Sequence, residues 1–181
     1  SEAVTLRELL HDPGDHLREV EKRAAAQFGG KAGLHLTDKL ADGKLVVDQG
    51  IIAGCAGGMY DNIAEAAAIL SGHDTGSGYF SLSVYPPSVP VNLELMENGV
   101  QQSLLASGAL FKPCFCGPCF GAGDVPANNG LSIRHTTRNF PNREGSKPAD
   151  GQLAGVILMD ARSIAATARN HGILTSAADV D

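Results

Sequence analysis

The chain reads as an α/β protein, a three-layer α/β/α arrangement around a mainly parallel sheet. Three observations predict it. Short runs of β-formers alternate with helix-patterned segments along the chain, the order that builds parallel sheets with helices on their faces. There is no tryptophan and only 5% aromatic residues, so the core must be filled by Ala, Val, Ile and Leu, which suits helices packed on a sheet. The 22 glycines gather at element ends and around the cysteines, where turns and close backbone approaches belong.

The elements follow in order. HLREVEKRAAAQ predicts a helix over 15–27, with Leu17, Val20 and Ala24 on one face, Asp15 as N-cap and Gly29–Gly30 as the stop. Residues 30–44 read as loop with a short strand at 33–36. KLVVDQGIIAGC is a strand entering a glycine-rich turn, and Tyr60–Ser71 is a helix with an Ala/Ile/Leu face. FSLSVYP (80–86) is a strand ended by prolines. Residues 92–108 are helical with Gly99 as a break. ALFKPC is a short buried strand, LSIRHTTR (131–138) another, and GVILMDA (155–161) the last before a helix over Ser163–His171. One compact domain is expected overall, made of an N-terminal helix and loop segment at 1–40 and an α/β part at 41–181.

A net charge of −6 without a basic tract argues against nucleic acid or an anionic membrane surface as partner. No apolar run is long enough to span a bilayer, and no basic stretch followed by an apolar run opens the chain. The expected compartment is the cytoplasm. Four cysteines there read as metal or redox chemistry sooner than as structural disulfides.

Three of the cysteines form a constellation: Cys55 in the glycine-rich turn, then Cys116 and Cys119 in FCGPCFG. Three is one short of a closed tetrahedral zinc site. It suits a cubane cluster that keeps one iron open as a Lewis acid. By itself, Cys116-Gly117-Pro118-Cys119 reads sooner as a redox dithiol or half of a zinc site than as part of a cluster. A thioredoxin-like site would stand at a helix N-terminus, and FGAGDVPANNG after it reads as loop. Cys55 alone would pass for a small apolar residue, but Gly54, Gly57 and Gly58 imply backbone wrapped tightly against something. Cys114 has no assigned role. Since each cysteine segment and the segment after Arg138 follow strands, all belong at the carboxyl edge of the sheet, where α/β proteins bind ligands.

Arg138 and Arg143, on a turn after a strand, could grip carboxylates; taken alone they read as solvated arginines. Lys112, Arg134 and Lys147 read as surface charge. The six histidines form no metal set, and His135 near the site reads as packing. Asp124 reads as a loop cap or a supporting group, and Tyr60 and Asp61 as a helix start.

Together these segments resemble the third, iron-sulfur domain of the aconitase and isopropylmalate isomerase superfamily. The family's first cluster cysteine, in G-S-C-T-N-S-x-Y-E-D before an alanine-rich helix, is matched by Gly54-Cys55-Ala56-Gly57-Gly58-Met59-Tyr60-Asp61-Asn62 and IAEAAAIL. Its C-G-P-C-[IL]-G is matched by Cys116–Gly121, and its N-R-N-F-x-G-R by Thr137–Arg143. The likeness runs from about residue 40 to the C-terminus. Ala56-Gly57 stands where the family has Thr-Asn, Thr137 where it has Asn, and Asn142 where it has Gly; citrate is therefore not the expected substrate.

The resemblance implies a [4Fe-4S] cluster on Cys55, Cys116 and Cys119. It places Arg138 and Arg143 at the carboxylates of a small di- or tricarboxylic hydroxy acid. The reaction would be a dehydration and rehydration (a hydro-lyase). No catalytic residue is expected in this domain alone, because the family's base is a serine of another domain. The chain, beginning with Ser, is expected to be a fragment of a longer enzyme, inactive without its remaining domains and prone to lose its cluster. The rivals are a non-catalytic zinc- or iron-binding module and a CxxC thiol oxidoreductase.

Overall fold

The computed structural model describes residues 2–30, 33–137 and 140–180. Its centre is a five-stranded sheet in which every pairing is parallel. A small antiparallel hairpin, β1 (Leu40–Ala41) and β2 (Lys44–Leu45), precedes it. The hairpin turns on Asp42 and Gly43, both at positive φ (50° and 76°), as a tight primed turn requires.

The sheet strands are β3 (Gln49–Ile52), β4 (Ser81–Val84), β5 (Leu110–Phe111), β6 (Leu131–His135) and β7 (Gly155–Leu158). Their spatial order is β5-β4-β3-β6-β7. The chain winds outward from β3 through β4 to β5, then returns across the sheet to β6 and winds the other way to β7. The direction of winding reverses between β3 and β6, which is where doubly wound folds open a crevice.

The helices are α1 (Leu6–His11), α2 (Pro13–Gln27), the single turn α3 (Gly54–Gly57), α4 (Tyr60–Leu70), α5 (Val89–Glu97), α6 (Val100–Ala106) and α7 (Ala161–Arg169). The α/β class with a parallel sheet flanked by helices is thus the one expected. Gly99 separates α5 from α6 at φ 74°, as its place in the sequence predicts.

Two local expectations are corrected. The second helix starts at Pro13, and its N-cap is Asp12, which accepts a hydrogen bond from the Asp15 amide at 3.1 Å; Asp15 lies in the first turn. No strand forms at 33–36; Leu36–Lys39 is a 3-10 turn that buries Leu36 against the core. A six-residue helix with a Thr5–Glu8 capping box, α1, precedes Asp12 and carries no separate sequence expectation.

One face of the sheet is apolar and helical. Ile63, Ala66 and Leu70 of α4, Leu95 of α5, Leu104 of α6 and Ile164 of α7 join Ile52, Leu82, Val84 and Ile133 in a single buried core. Leu9 and Leu17 from α1 and α2 belong to the same core. Gly50 lets α7 lie close: a Cβ there would stand 3.0 Å from the Ile164 methyl. The other face carries a small separate cluster of Ile51, Ala53 and Tyr85, covered by the irregular segment after β5.

Leu82 is fully buried on a central strand. Leu82→Ala is expected to lower unfolding free energy by about 2–5 kcal/mol. The measurement is the urea midpoint at unchanged m-value.

Candidate functional site

The site is built on the carboxyl edge around the β3/β6 reversal. After Ile52 the chain keeps its ladder for one more residue, Ala53 N–H donating to the His135 carbonyl at 3.0 Å. It then bends at Gly54, whose φ of 75° favours glycine, into the one-turn helix α3. A Cβ on Gly57 would fall 1.8 Å from the His135 carbonyl oxygen, so only glycine lets the turn lie on the end of β6. This sets Cys55 at the reversal point, exposed, with its Sγ 3.3 Å from Thr137 Oγ1.

The second cysteine segment arrives from the opposite side. Cys116–Cys119 is a 3-10 turn closed by Cys119 N–H to the Cys116 carbonyl (3.0 Å). The Ala122 amide donates to the Gly117 carbonyl at 2.9 Å, and a Cβ on Gly117 would fall 1.9 Å from the Ala122 oxygen. No α-helix continues the turn, so the dipole that activates a thioredoxin-type thiol is not supplied. The Cys119 sulfur rests on the Cys55 turn: a Cβ on Gly54 would stand 2.6 Å from it. Cys116 is exposed, and Cys114 is half-buried.

What holds this irregular segment down is a residue that sequence reasoning misread. Arg134 is no surface charge; it is 2% exposed, on a strand flanked by β3 and β7. Its Nη1 donates to the Pro118 carbonyl (3.1 Å) and its Nη2 to the Asp124 carbonyl (3.0 Å) and Gln49 Oε1 (3.2 Å). Burial pulls its pKa below the usual arginine value, opposed by the charges of Glu144, Asp124 and Cys119. The signal was present in the sequence: a charge inside a strand of an all-parallel sheet faces a covered surface on either side and needs partners.

Asp124 is a supporting group as well as a loop residue. Its carboxylate accepts the Tyr85 hydroxyl at 2.5 Å. Burial first, then this bond, pushes the Tyr85 pKa well above the ordinary tyrosine value. His135 has its pKa lowered by burial, and its Nδ1 is buried without a hydrogen-bond partner among the described residues. Tyr60 opens α4 and its hydroxyl accepts from Asn98 Nδ2 at 2.9 Å. Lys112 is half-buried and Lys147 exposed.

Of the two candidate arginines, Arg138 lies outside the described residues. Arg143 is half-buried, its guanidinium 5.6 Å from the centre of the Phe140 ring. Its Nε is buried with no hydrogen-bond partner among the described residues. The next residue, Glu144, is buried and accepts the Ser146 hydroxyl.

Among the described residues, no three His, Cys, Asp or Glu side chains converge tightly enough to hold a metal ion. A cubane asks for something else: it offers a separate iron to each thiolate, so its ligands need not meet at one point. The cradle suits such a group. The Cys55 turn is stripped of side chains at Gly54, Gly57 and Gly58 and has the Cys119 sulfur lying on it, while Cys55 and Cys116 are exposed. The residues present fit a cluster better than a single ion.

Fold and site together define an α/β domain with a parallel sheet and, at the point where its winding reverses, the Cys55 turn with the Cys119 sulfur against it. Sequence comparison narrows the class. The model of the aconitase family (aconitate hydratase) matches residues 1–166, and the chain belongs to that family. Similar curated proteins include the 3-isopropylmalate dehydratase large subunit of Bifidobacterium longum subsp. infantis, 30% identical over 172 residues (92% of this chain, 34% of that protein). Those of Nitratidesulfovibrio vulgaris (30% over 131 residues; 72% and 31%) and Thermococcus kodakarensis (34% over 112 residues; 61% and 29%) are also similar. The chain spans about a third of the length of these relatives. No helix among the described residues is long and apolar enough to cross a membrane.

The Tyr85–Asp124 bond gives a pH prediction. A tyrosine whose folded pKa is raised contributes stability fully present below about pH 10, the unfolded value, and lost as pH rises further. Tyr85→Phe is therefore expected to be less stable than the parent at neutral pH, with the gap narrowing above about pH 10. Urea unfolding of both proteins across that range measures it; a gap independent of pH would contradict the assignment.

Proposed function

We propose that this chain is the cluster-bearing domain of an aconitase-like hydratase, a hydro-lyase acting on a small di- or tricarboxylic hydroxy acid. The observation that carries the reading is the seating of Cys119 on the Cys55 turn at the sheet's reversal point. Family membership supports it. In this reading Cys55, Cys116 and Cys119 hold a [4Fe-4S] cluster. When bound, the cluster supplies an open iron as Lewis acid for a hydroxyl and a carboxylate.

The chain's own groups do the rest. Thr137 keeps its hydroxyl on the Cys55 sulfur. Arg143, with a buried N–H left without a partner among the described residues, binds a substrate carboxylate; a charged donor in a partly dry site makes that bond strong. Arg138 is assigned the same carboxylate-binding role. No catalytic base is assigned to this domain, which works with the remaining domains or subunits of a longer cytoplasmic enzyme. The curated relatives are named as large subunits and extend well beyond the matched stretch, which supports the division of labour. Residues 41–181 form the cluster domain in this reading, with 1–40 as its N-terminal extension. The lack of a helix after Cys119 speaks for the cluster over a thiol oxidoreductase.

Anaerobic reconstitution tests the reading. The chain is expected to take up iron and acid-labile sulfide in equal amounts, and Cys55→Ser to lose the broad visible absorbance. Zinc bound without sulfide, or no uptake, overturns it. Arg143→Gln is expected to keep the cluster and to weaken a hydroxy dicarboxylate's effect on its EPR spectrum by about 10- to 100-fold in concentration.

A further inference from the structure

Arg134 is an unusual buried cation. It makes no ion pair among the described residues, and each of its hydrogen bonds goes to a neutral acceptor: Ser132 Oγ, Pro118 O, Asp124 O and Gln49 Oε1. The fields of Glu144 and Asp124 offset part of the cost of burying this charge, but no carboxylate bonds it directly, and a neutral donor could serve any one of its acceptors. Two features explain a guanidinium here. Its planar fork reaches both ends of the cysteine segment at once, Pro118 on one side and Asp124 on the other, while Nε is held by the strand itself. Its Pro118 contact also lies one peptide from Cys119, whose sulfur rests on the Cys55 turn.

We infer that Arg134 is the positioning residue of the cysteine pair: it clamps the Cys116–Cys119 turn to the sheet and sets a fixed positive charge behind Cys119 for an anionic group bound there. The clamp stands on the hydrogen bonds alone. The charge role rests on the cluster reading. The clamped segment has no ladder of its own, its internal bonds being the short ones of Cys119, Phe120 and Ala122 to Cys116 and Gly117. Without the fork that segment opens independently of the helical face. The charge favours the more negative state of whatever the thiolates hold, and fields of this kind set cluster potentials.

The test uses Arg134→Gln, which loses fork and charge, and Arg134→Lys, which keeps the charge and reaches one carbonyl at a time. In the metal-free chain, amide exchange at 117–122 is expected to rise about ten-fold in the Gln variant and less in the Lys variant. Exchange in α4 and α7 should stay unchanged. Unaltered exchange at 117–122 in a folded variant overturns the clamp; if the Gln variant does not fold, the Lys variant alone decides. After reconstitution, cluster loss is expected to quicken about 10- to 100-fold in the Gln variant. Its midpoint potential should fall, while the Lys variant stays near the parent value. A Gln variant with the parent's potential overturns the charge role. If the parent takes up no cluster while 117–122 exchange still responds, the proposed function and the charge role fail and the clamp stands.

Discussion

A carbonyl oxygen sitting where a side chain would begin is the constraint on which the site depends. The His135 oxygen occupies the place of a Gly57 Cβ and also accepts the Ala53 amide. The end of β3, the turn carrying Cys55 and the end of β6 are therefore joined through backbone alone. Cys55 makes no packing contribution to hold itself there; it is exposed. Its position is inherited from the two strands, which are anchored by a fully buried core. Backbone contact of this kind leaves little slack, because peptide groups have no rotamers to give. A thiol presented in this way is fixed in space yet open to a ligand.

The two faces of the sheet are held by different physics. Helices α4 to α7 bury aliphatic side chains on one face, and their own backbone bonds are satisfied internally. The segment after β5 has neither advantage. It is irregular, so its carbonyls need donors from elsewhere, and a covered loop without them would be penalised at each one. Arg134, Gln49 and the Tyr85–Asp124 pair supply that polar support. Fold and site geometry are thus separately secured. Apolar burial decides whether the chain folds; a handful of hydrogen bonds decides where Cys116 and Cys119 stand.

That division explains which features were legible in the sequence. Helix α4, the break at Gly99 and the strands β4, β6 and β7 are marked by periodicity and by glycine or proline, and they fall within a few residues of expectation. The cysteine segments were visible because their residue types are rare and their spacing is specific. The clamp was not. Arg134 looks like any charged residue until its strand is known to lie between two others. The cap moved from Asp15 to Asp12 because Pro13 fixes the first helical φ and draws the start back to itself. The short strand at 33–36 failed because Leu36 reaches the core from a 3-10 turn, which no alternating pattern announces.

The arginine segment is coupled to the cysteine segment by the same economy of space. A Cβ on Gly121 would stand 2.8 Å from the Gly145 Cα, so the loop leaving Cys119 crosses the stretch after Arg143 in direct backbone contact. Glu144 lies between them in sequence, buried, and its field acts on Arg134 beneath the cysteine turn. A shift of the cysteine loop therefore has to move Gly145, and with it the arginine two residues before. The converse holds for a force applied at Arg143. A carboxylate drawing on that guanidinium pulls against the loop that Arg134 holds. The backbones of the cysteine loop and of the arginine segment are thus tied by one direct contact, above the buried Arg134. The proposed reading, a carboxylate recognised at a fixed distance from a cluster, calls for such a tie between the two segments.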